Sequence, residues 1–160
     1  MKIFISYGNA DLKLVKFIGQ HLSKHADIYY WDKNKELGAA AWQTIFQWID
    51  NSDLVLALIT GETLQRAMAV GQEIGRAKAK NKTIIPLITT DVPQGQLGML
   101  EGITYQRITN ENFVSELKNI ERRVIAQKVM MKNSSDTLWL MGGIALIAGF
   151  AMLSSSDKKK

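Results

Sequence analysis

The sequence predicts an α/β domain: a parallel sheet covered by helices on both faces, with one further apolar helix after it. Three observations carry this. Short runs of β-branched and aromatic residues alternate with longer stretches of helical periodicity. The central run, Leu54-Val55-Leu56-Ala57-Leu58-Ile59, is apolar throughout, as strands buried on both faces are. Residues 137–153 carry no charge at all.

Taken in order, residues 2–7 (KIFISY) form the first strand, and Gly8-Asn9-Ala10-Asp11 a turn in which Asp11 is the expected N-cap of a helix over 12–24. The apolar stripe of that helix is Leu14, Val15, Ile18 and Leu22. His21 and His25 stand one turn apart, a spacing that could hold a metal. No third ligand is near in sequence, so a surface pair is expected. Residues 27–31 (DIYYW) form a second strand, and 32–38 a charged loop closed by Gly38. A helix over 39–51 follows, with Trp42, Ile45, Phe46 and Ile49 on its apolar side. The central strand comes next, then a helix ending near Ala79 and a basic turn over 78–82, whose charge suits a helix carboxyl end. Residues 83–88 (TIIPLI) form a buried strand, and Pro86 requires it to bulge or to be paired on one side only there. A loop over 89–102 leads to an edge strand over 103–108 and a long amphipathic helix over 110–130, with Phe113, Leu117, Ile120, Val124 and Ile125 as its apolar positions. Apolar strands alternating with helices give a doubly wound sheet with right-handed crossovers.

The chain has 160 residues, 46% hydrophobic and 22% charged, which suits one ordinary domain plus a small appendage and does not suit disorder. The absence of cysteine excludes disulfides, thiolate metal sites and cysteine nucleophiles. The net charge of +5 includes Lys158-Lys159-Lys160 in the tail. There is no basic stripe interleaved with aromatics, so nucleic acid is not an expected partner. The first residues lack the apolar stretch of a signal peptide. P-loop, dinucleotide, zincin and nucleophile-elbow motifs are missing, so any enzymatic equipment is carboxylate, hydroxyl and aromatic.

One acid draws attention. Glu73 lies among Val70, Ile74 and Ala77 at helical spacing, in the helix that follows the central strand. Ligands of open α/β sheets bind beside strand carboxyl ends. A carboxylate there keeps its charge through a partner, is held in a pocket for chemistry, or lies at the edge of the apolar face and reaches water. Periodicity alone favours the last of these.

The tail divides into a polar linker over 131–136, an apolar segment over 137–153 and a Ser/Lys-rich end over 154–160. At helical rise the segment is about 25 Å long, near the lower limit for a bilayer span. Trp139 stands at one end, as interfacial aromatics do. The expectation is a single-pass membrane helix after a domain of residues 1–130 that lies in the cytoplasm. Gly142, Ala145 and Gly149 share one face, either as a close-packing surface between two copies or as ordinary span composition.

Several of these residues fit a known pattern. Phe4-Ile5-Ser6-Tyr7 before a polar turn, Trp31-Asp32 through Gly38, Trp42, Asn51-Ser52-Asp53, Glu73-Ile74-Gly75 and Ile84-Ile85-Pro86-Leu87 stand in the order seen in TIR (Toll/interleukin-1 receptor) domains. The chain resembles that family over roughly residues 1–130. The resemblance implies a flavodoxin-like, five-stranded parallel sheet. It also implies cleavage of the nicotinamide–ribose bond of NAD+, giving nicotinamide and ADP-ribose or a cyclic isomer, in immune or defence signalling. NAD is then a substrate, and no cofactor or metal is called for. The family's catalytic glutamate falls on Glu73, and its ligand cleft on Tyr7, Gly8, Trp31, Asp32, Lys33 and Gly38. Association between TIR domains is implied as well. Two positions depart from the enzymatic pattern: Ala69 stands where a tryptophan is frequent, and Thr60 where a serine is usual. A non-enzymatic TIR adaptor and a nucleoside deoxyribosyltransferase-like enzyme are the competing expectations.

Overall fold

The computed structural model describes residues 1–32, 39–63 and 67–132. The chain divides into two compact units, Met1–Arg122 and Arg123–Lys160. The strands are β1 (Lys2–Ser6), β2 (Asp27–Tyr29), β3 (Leu54–Ile59), β4 (Thr83–Thr89) and β5 (Gln106–Ile108). The helices are α1 (Leu12–Leu22), α2 (Ala39–Asn51) and α3 (Ala67–Ala79), and a fourth, α4, over residues 113–132. All strand pairs are parallel, in the order β2-β1-β3-β4-β5. This is the flavodoxin-like arrangement the sequence implies. The strand order reverses between β1 and β3, and the crevice at such a point is where this architecture binds ligands.

The sheet buries its centre completely. All six residues of β3 are buried, which explains the unbroken apolar run. On one face Phe4 and Val55 pack against Ile45 and Ile49 of α2 and Ala77 of α3. Further along that face Ala57 and Ile59 meet Val70 and Ile74 of α3, with Ile88 and Val92 beside them. On the other face Gly19 of α1 comes against Ile28 and Ile5, so the helix sits close over β1 and β2.

Element ends differ from the sequence expectation in instructive ways. Strand β2 stops at Tyr29, short of Tyr30 and Trp31, because its ladder with β1 covers only Asp27 to Tyr29. Strand β5 starts at Gln106 and pairs with β4 only from Leu87 onward. Pro86 pairs with Ala57 of β3 and precedes the β5 ladder, so its missing donor falls where β4 is paired on one side. Helix α3 closes in a Schellman turn: the Lys82 N–H reaches the Ala77 carbonyl at 2.9 Å, across Asn81 in the left-handed region (φ 51°). Ile125, expected on the apolar stripe of α4, is 41% exposed and belongs to the solvent side. Among the described residues no helix is long and apolar enough to cross a membrane. The expected span over 137–153, with Gly142, Ala145 and Gly149, lies outside the described residues, as do the linker from residue 133 and the tail.

Candidate functional site

Glu73 is 6% exposed. That burial runs against the reading that sends its carboxylate into bulk water. The helix forms on good helix formers (Ala67, Met68, Ala69, Gln72, Arg76, Ala77), and its apolar positions Val70, Ile74 and Ala77 pin it to the sheet. The inward face of that stripe carries Glu73 with it. A small hollow adjoins the side chain, lined by Phe4, Ile5, Tyr7, Asn9, Trp31, Ile45 and Glu73. It therefore lies at the carboxyl ends of β1 and β2, between the sheet and helices α2 and α3. Its enclosed space, about 10 Å³, holds about one water.

Tyr7 is 6% exposed and gives its hydroxyl proton to the Trp31 carbonyl, which ties the end of β1 to the end of β2. Its ring meets Tyr30 edge-on, with centroids 6.4 Å apart. Trp31 stacks at a tilt on Trp48 of α2 (5.9 Å), and Trp48 in turn contacts Tyr29 and Phe4. The hollow thus has an aromatic wall on the β2 side, although Ala69 supplies no ring. Helices α2 and α3 are locked by a two-pronged ion pair, Arg76 Nε to Asp50 Oδ1 at 2.8 Å and a terminal nitrogen to Oδ2 at 2.5 Å. The same guanidinium stacks on Phe46. It holds the Asp50 carboxyl below the usual carboxylate range.

The loop after β1 is fastened to the loop after β3. Asp11 stands at the N-cap position of α1, but its side chain makes no cap bond. Its Oδ2 instead accepts from Thr60 Oγ1 at 2.8 Å and Thr63 Oγ1 at 3.4 Å. The expected capping role is thus corrected: Asp11 closes a short 3-10 turn, Asn9–Asp11, and its backbone (φ −86°, ψ 8°) lies outside the extended region of a capping residue, so its carboxylate reaches the other loop instead. Burial raises the Asp11 carboxyl pKa, opposed by these two hydrogen bonds and reinforced by the charges of Glu62 and Asp91. Gly8 is the point of closest approach: a Cβ there would stand 3.0 Å from both Thr63 Cα and Thr63 Oγ1. One loop further on, Asp91 Oδ2 accepts the Gly61 N–H at 2.9 Å. Hydrogen bonds, first from the Thr89 hydroxyl, hold the Asp91 carboxyl low.

The structure thus brings Glu73, Tyr7 and Trp31 to one hollow, with Gly8 in the adjoining loop. Asp32 is half-buried and faces Lys16 across 3.5 Å. Lys33 and Gly38 lie outside the described residues. Asn9, Phe4 and Ile45 line the hollow and were not singled out from sequence. Asn9 had a legible signal, since it sits in the turn at a strand's carboxyl end; Ile45 and Phe4 read as core and are core. His21 and His25 both reach Glu121, at 3.1 and 2.8 Å on its two different oxygens. That is a hydrogen-bonded fork and not a set of ligands converging on one point. Among the described residues no group of three His, Asp or Glu is placed to hold a metal ion. A larger cleft of about 560 Å³ opens at the ends of β4 and β5, beside Leu14, Thr89, Thr109 and Phe113. It is away from the strand-order reversal and from Glu73, so the smaller hollow is the candidate site.

The family model described as TIR domain matches residues 3–122. The chain belongs to the TIR-domain family. The matched stretch runs from Ile3 of β1 past the end of β5 and includes every candidate site residue named above. Two solved structures share the fold of this TIR domain. One is a 2-deoxyribosyltransferase from the psychrotolerant bacterium Bacillus psychrosaccharolyticus (17% identity, TM-score 0.53, 71% of this chain and 90% of that one). The other is the CMP N-glycosidase BcmB of Clostridium botulinum (16% identity, TM-score 0.57, 76% and 98%). No curated protein matches the chain.

Proposed function

We propose that this TIR domain cleaves the nicotinamide–ribose bond of NAD+, with Glu73 as the catalytic carboxylate. The observation that carries the proposal is the burial of Glu73 beside a hollow shared with Tyr7, Asn9 and Trp31 at the carboxyl ends of β1 and β2. The chemistry asks little of the protein. Nicotinamide leaves as a neutral base from a cationic pyridinium, so no general acid is needed to expel it. The sugar is left with oxocarbenium character, which a nearby carboxylate stabilises electrostatically or through its hydroxyls. Trp31, backed by Trp48, supplies an aromatic surface on which a pyridinium ring can lie. Water, or an atom of the substrate itself, completes the reaction and gives ADP-ribose or a cyclic isomer. The hollow in its present form is far smaller than NAD+, so this reading requires the crevice to widen for substrate.

The test is nicotinamide release by wild type and Glu73→Ala. Removal of the carboxylate is expected to cost at least about a hundredfold in turnover while the fold survives. Nicotinamide release equal in the two proteins would overturn the assignment. A second reading keeps Glu73 and changes the substrate, because both structural neighbours bear names of N-glycosidic chemistry on nucleosides or nucleotides. Incubation with deoxynucleosides, free bases and CMP separates the two. In either reading the segment over 137–153 is proposed as a membrane anchor, with Gly142, Ala145 and Gly149 as a face on which copies meet.

A further inference from the structure

We propose that Asp11 is a positioning residue for the crevice: its carboxylate clamps the Tyr7-Gly8-Asn9 segment to the loop that leads toward the Glu73 helix, and so sets the separation of Tyr7 and Glu73 across the hollow. This rests on the reading of Glu73 as the catalytic group and adds what holds the opposite wall. Four observations converge on it. Asp11 leaves the cap of its own helix unmade and turns to the other loop. Its two donors, Thr60 and Thr63, are 7% and 1% exposed, so the clamp is sheltered from competing water. Those threonines are themselves fixed: the Thr63 N–H donates to the Thr60 carbonyl at 3.0 Å, the Thr60 N–H to Thr63 Oγ1 at 3.0 Å, and Thr63 Oγ1 lies 3.3 Å from the Leu58 carbonyl. On the other side the Asp11 N–H donates to the Gly8 carbonyl at 2.9 Å, which carries the constraint into the residues beside Tyr7 and Asn9.

The clamp therefore joins the end of β1, which supplies Tyr7, to the end of β3, from which the chain passes to α3. These are the two strands between which the sheet order reverses. A side chain of catalytic machinery displaced by about 1 Å can cost a hundredfold, so a linkage of this kind shows in rate before it shows in fold.

Four variants test it: Asp11→Ala, Asp11→Asn, Thr60→Val and the double variant Asp11→Ala/Thr60→Val. Asparagine keeps an oxygen that can accept from both hydroxyls, so Asp11→Asn is expected to retain activity within about threefold. Asp11→Ala and Thr60→Val are each expected to lose at least tenfold in turnover per folded molecule. The double variant should be no worse than the worse single one, as for two halves of one linkage. Amide hydrogen exchange supplies a readout independent of catalysis. Exchange at residues 7–9 should quicken in Asp11→Ala and Thr60→Val and stay unchanged in Asp11→Asn. Full activity per folded molecule in Asp11→Ala, or unchanged exchange at 7–9, overturns the clamp. Should wild type release no nicotinamide, the proposed function fails, and the exchange measurement alone decides for or against the clamp.

Discussion

Replacing Gly8 by alanine isolates the close approach of the two loops. Gly8 has φ −79° and ψ 143°, a conformation open to any residue, so its backbone does not demand glycine. Space does. The added Cβ would lie 3.0 Å from Thr63 Cα and Oγ1 and 3.2 Å from Asp11 Oδ2. The first of these atoms is backbone, and Thr63 is held by the Thr63 N–H donating to the Thr60 carbonyl and the Thr60 N–H donating to Thr63 Oγ1, so it yields little. Overpacking of this kind costs about 1–3 kcal/mol. Alanine also narrows the unfolded ensemble, which returns about 0.4–1 kcal/mol. The expected balance is a loss of roughly 0.5–2 kcal/mol, or several degrees in Tm at roughly 4 °C per kcal/mol. Urea titration followed by tryptophan fluorescence measures it. Equal or greater stability of Gly8→Ala would refute the steric account and, with it, the picture of two loops in van der Waals contact.

Other outcomes follow from the same packing. Gly71 and Gly75 of α3 have open space where a Cβ would go, so Gly71→Ala and Gly75→Ala should each stabilise by about 0.5–1 kcal/mol in thermal unfolding. Ile74→Ala empties a fully buried position and should cost about 2–5 kcal/mol by urea titration. Asp11 has a carboxyl pKa raised by burial above its ordinary 3.8. The folded state then holds the proton more tightly than the unfolded one, so this group's contribution to stability declines as pH rises through the raised value, and Asp11→Asn should flatten that part of the profile. Glu121 is the opposite case. His25 and then His21 hold it below 4.5, so its stabilising contribution is present above that value and is lost as pH falls through the lowered one. Glu121→Gln and wild type should therefore converge in acid, and parallel profiles would show that the fork contributes nothing.

What the sequence made legible is local or periodic. The run from Leu54 to Ile59, the apolar stripes of α1 and α2 and the one-sided pairing at Pro86 were each readable from spacing and residue type, whereas spacing alone favoured a solvent-reaching Glu73 and only the family resemblance pointed the other way. The sheet order and the family followed from motifs in sequence. What escaped is tertiary. Nothing near Asp11 announces that its carboxylate will leave the helix it precedes for threonines some fifty positions later. Glu121 lies about a hundred positions from the histidines it joins. Trp48 falls beside the apolar stripe of α2 by periodicity, yet it packs on Trp31, because β2 is short and leaves that ring free of the ladder. Local competition was misjudged wherever a long-range partner offered a better hydrogen bond or a larger ring.

The tilted contact of Trp31 and Trp48 has a practical meaning. Two indoles this near couple their electronic transitions, so the pair should give the protein a near-ultraviolet dichroic signature sensitive to their mutual angle. Trp31 borders the hollow and Trp48 stands behind it, and an electron-poor heterocycle settling there would dim their emission as it arrived. Under the proposed function the protein thus carries its own optical gauge, readable without a label, in residues 31 and 48.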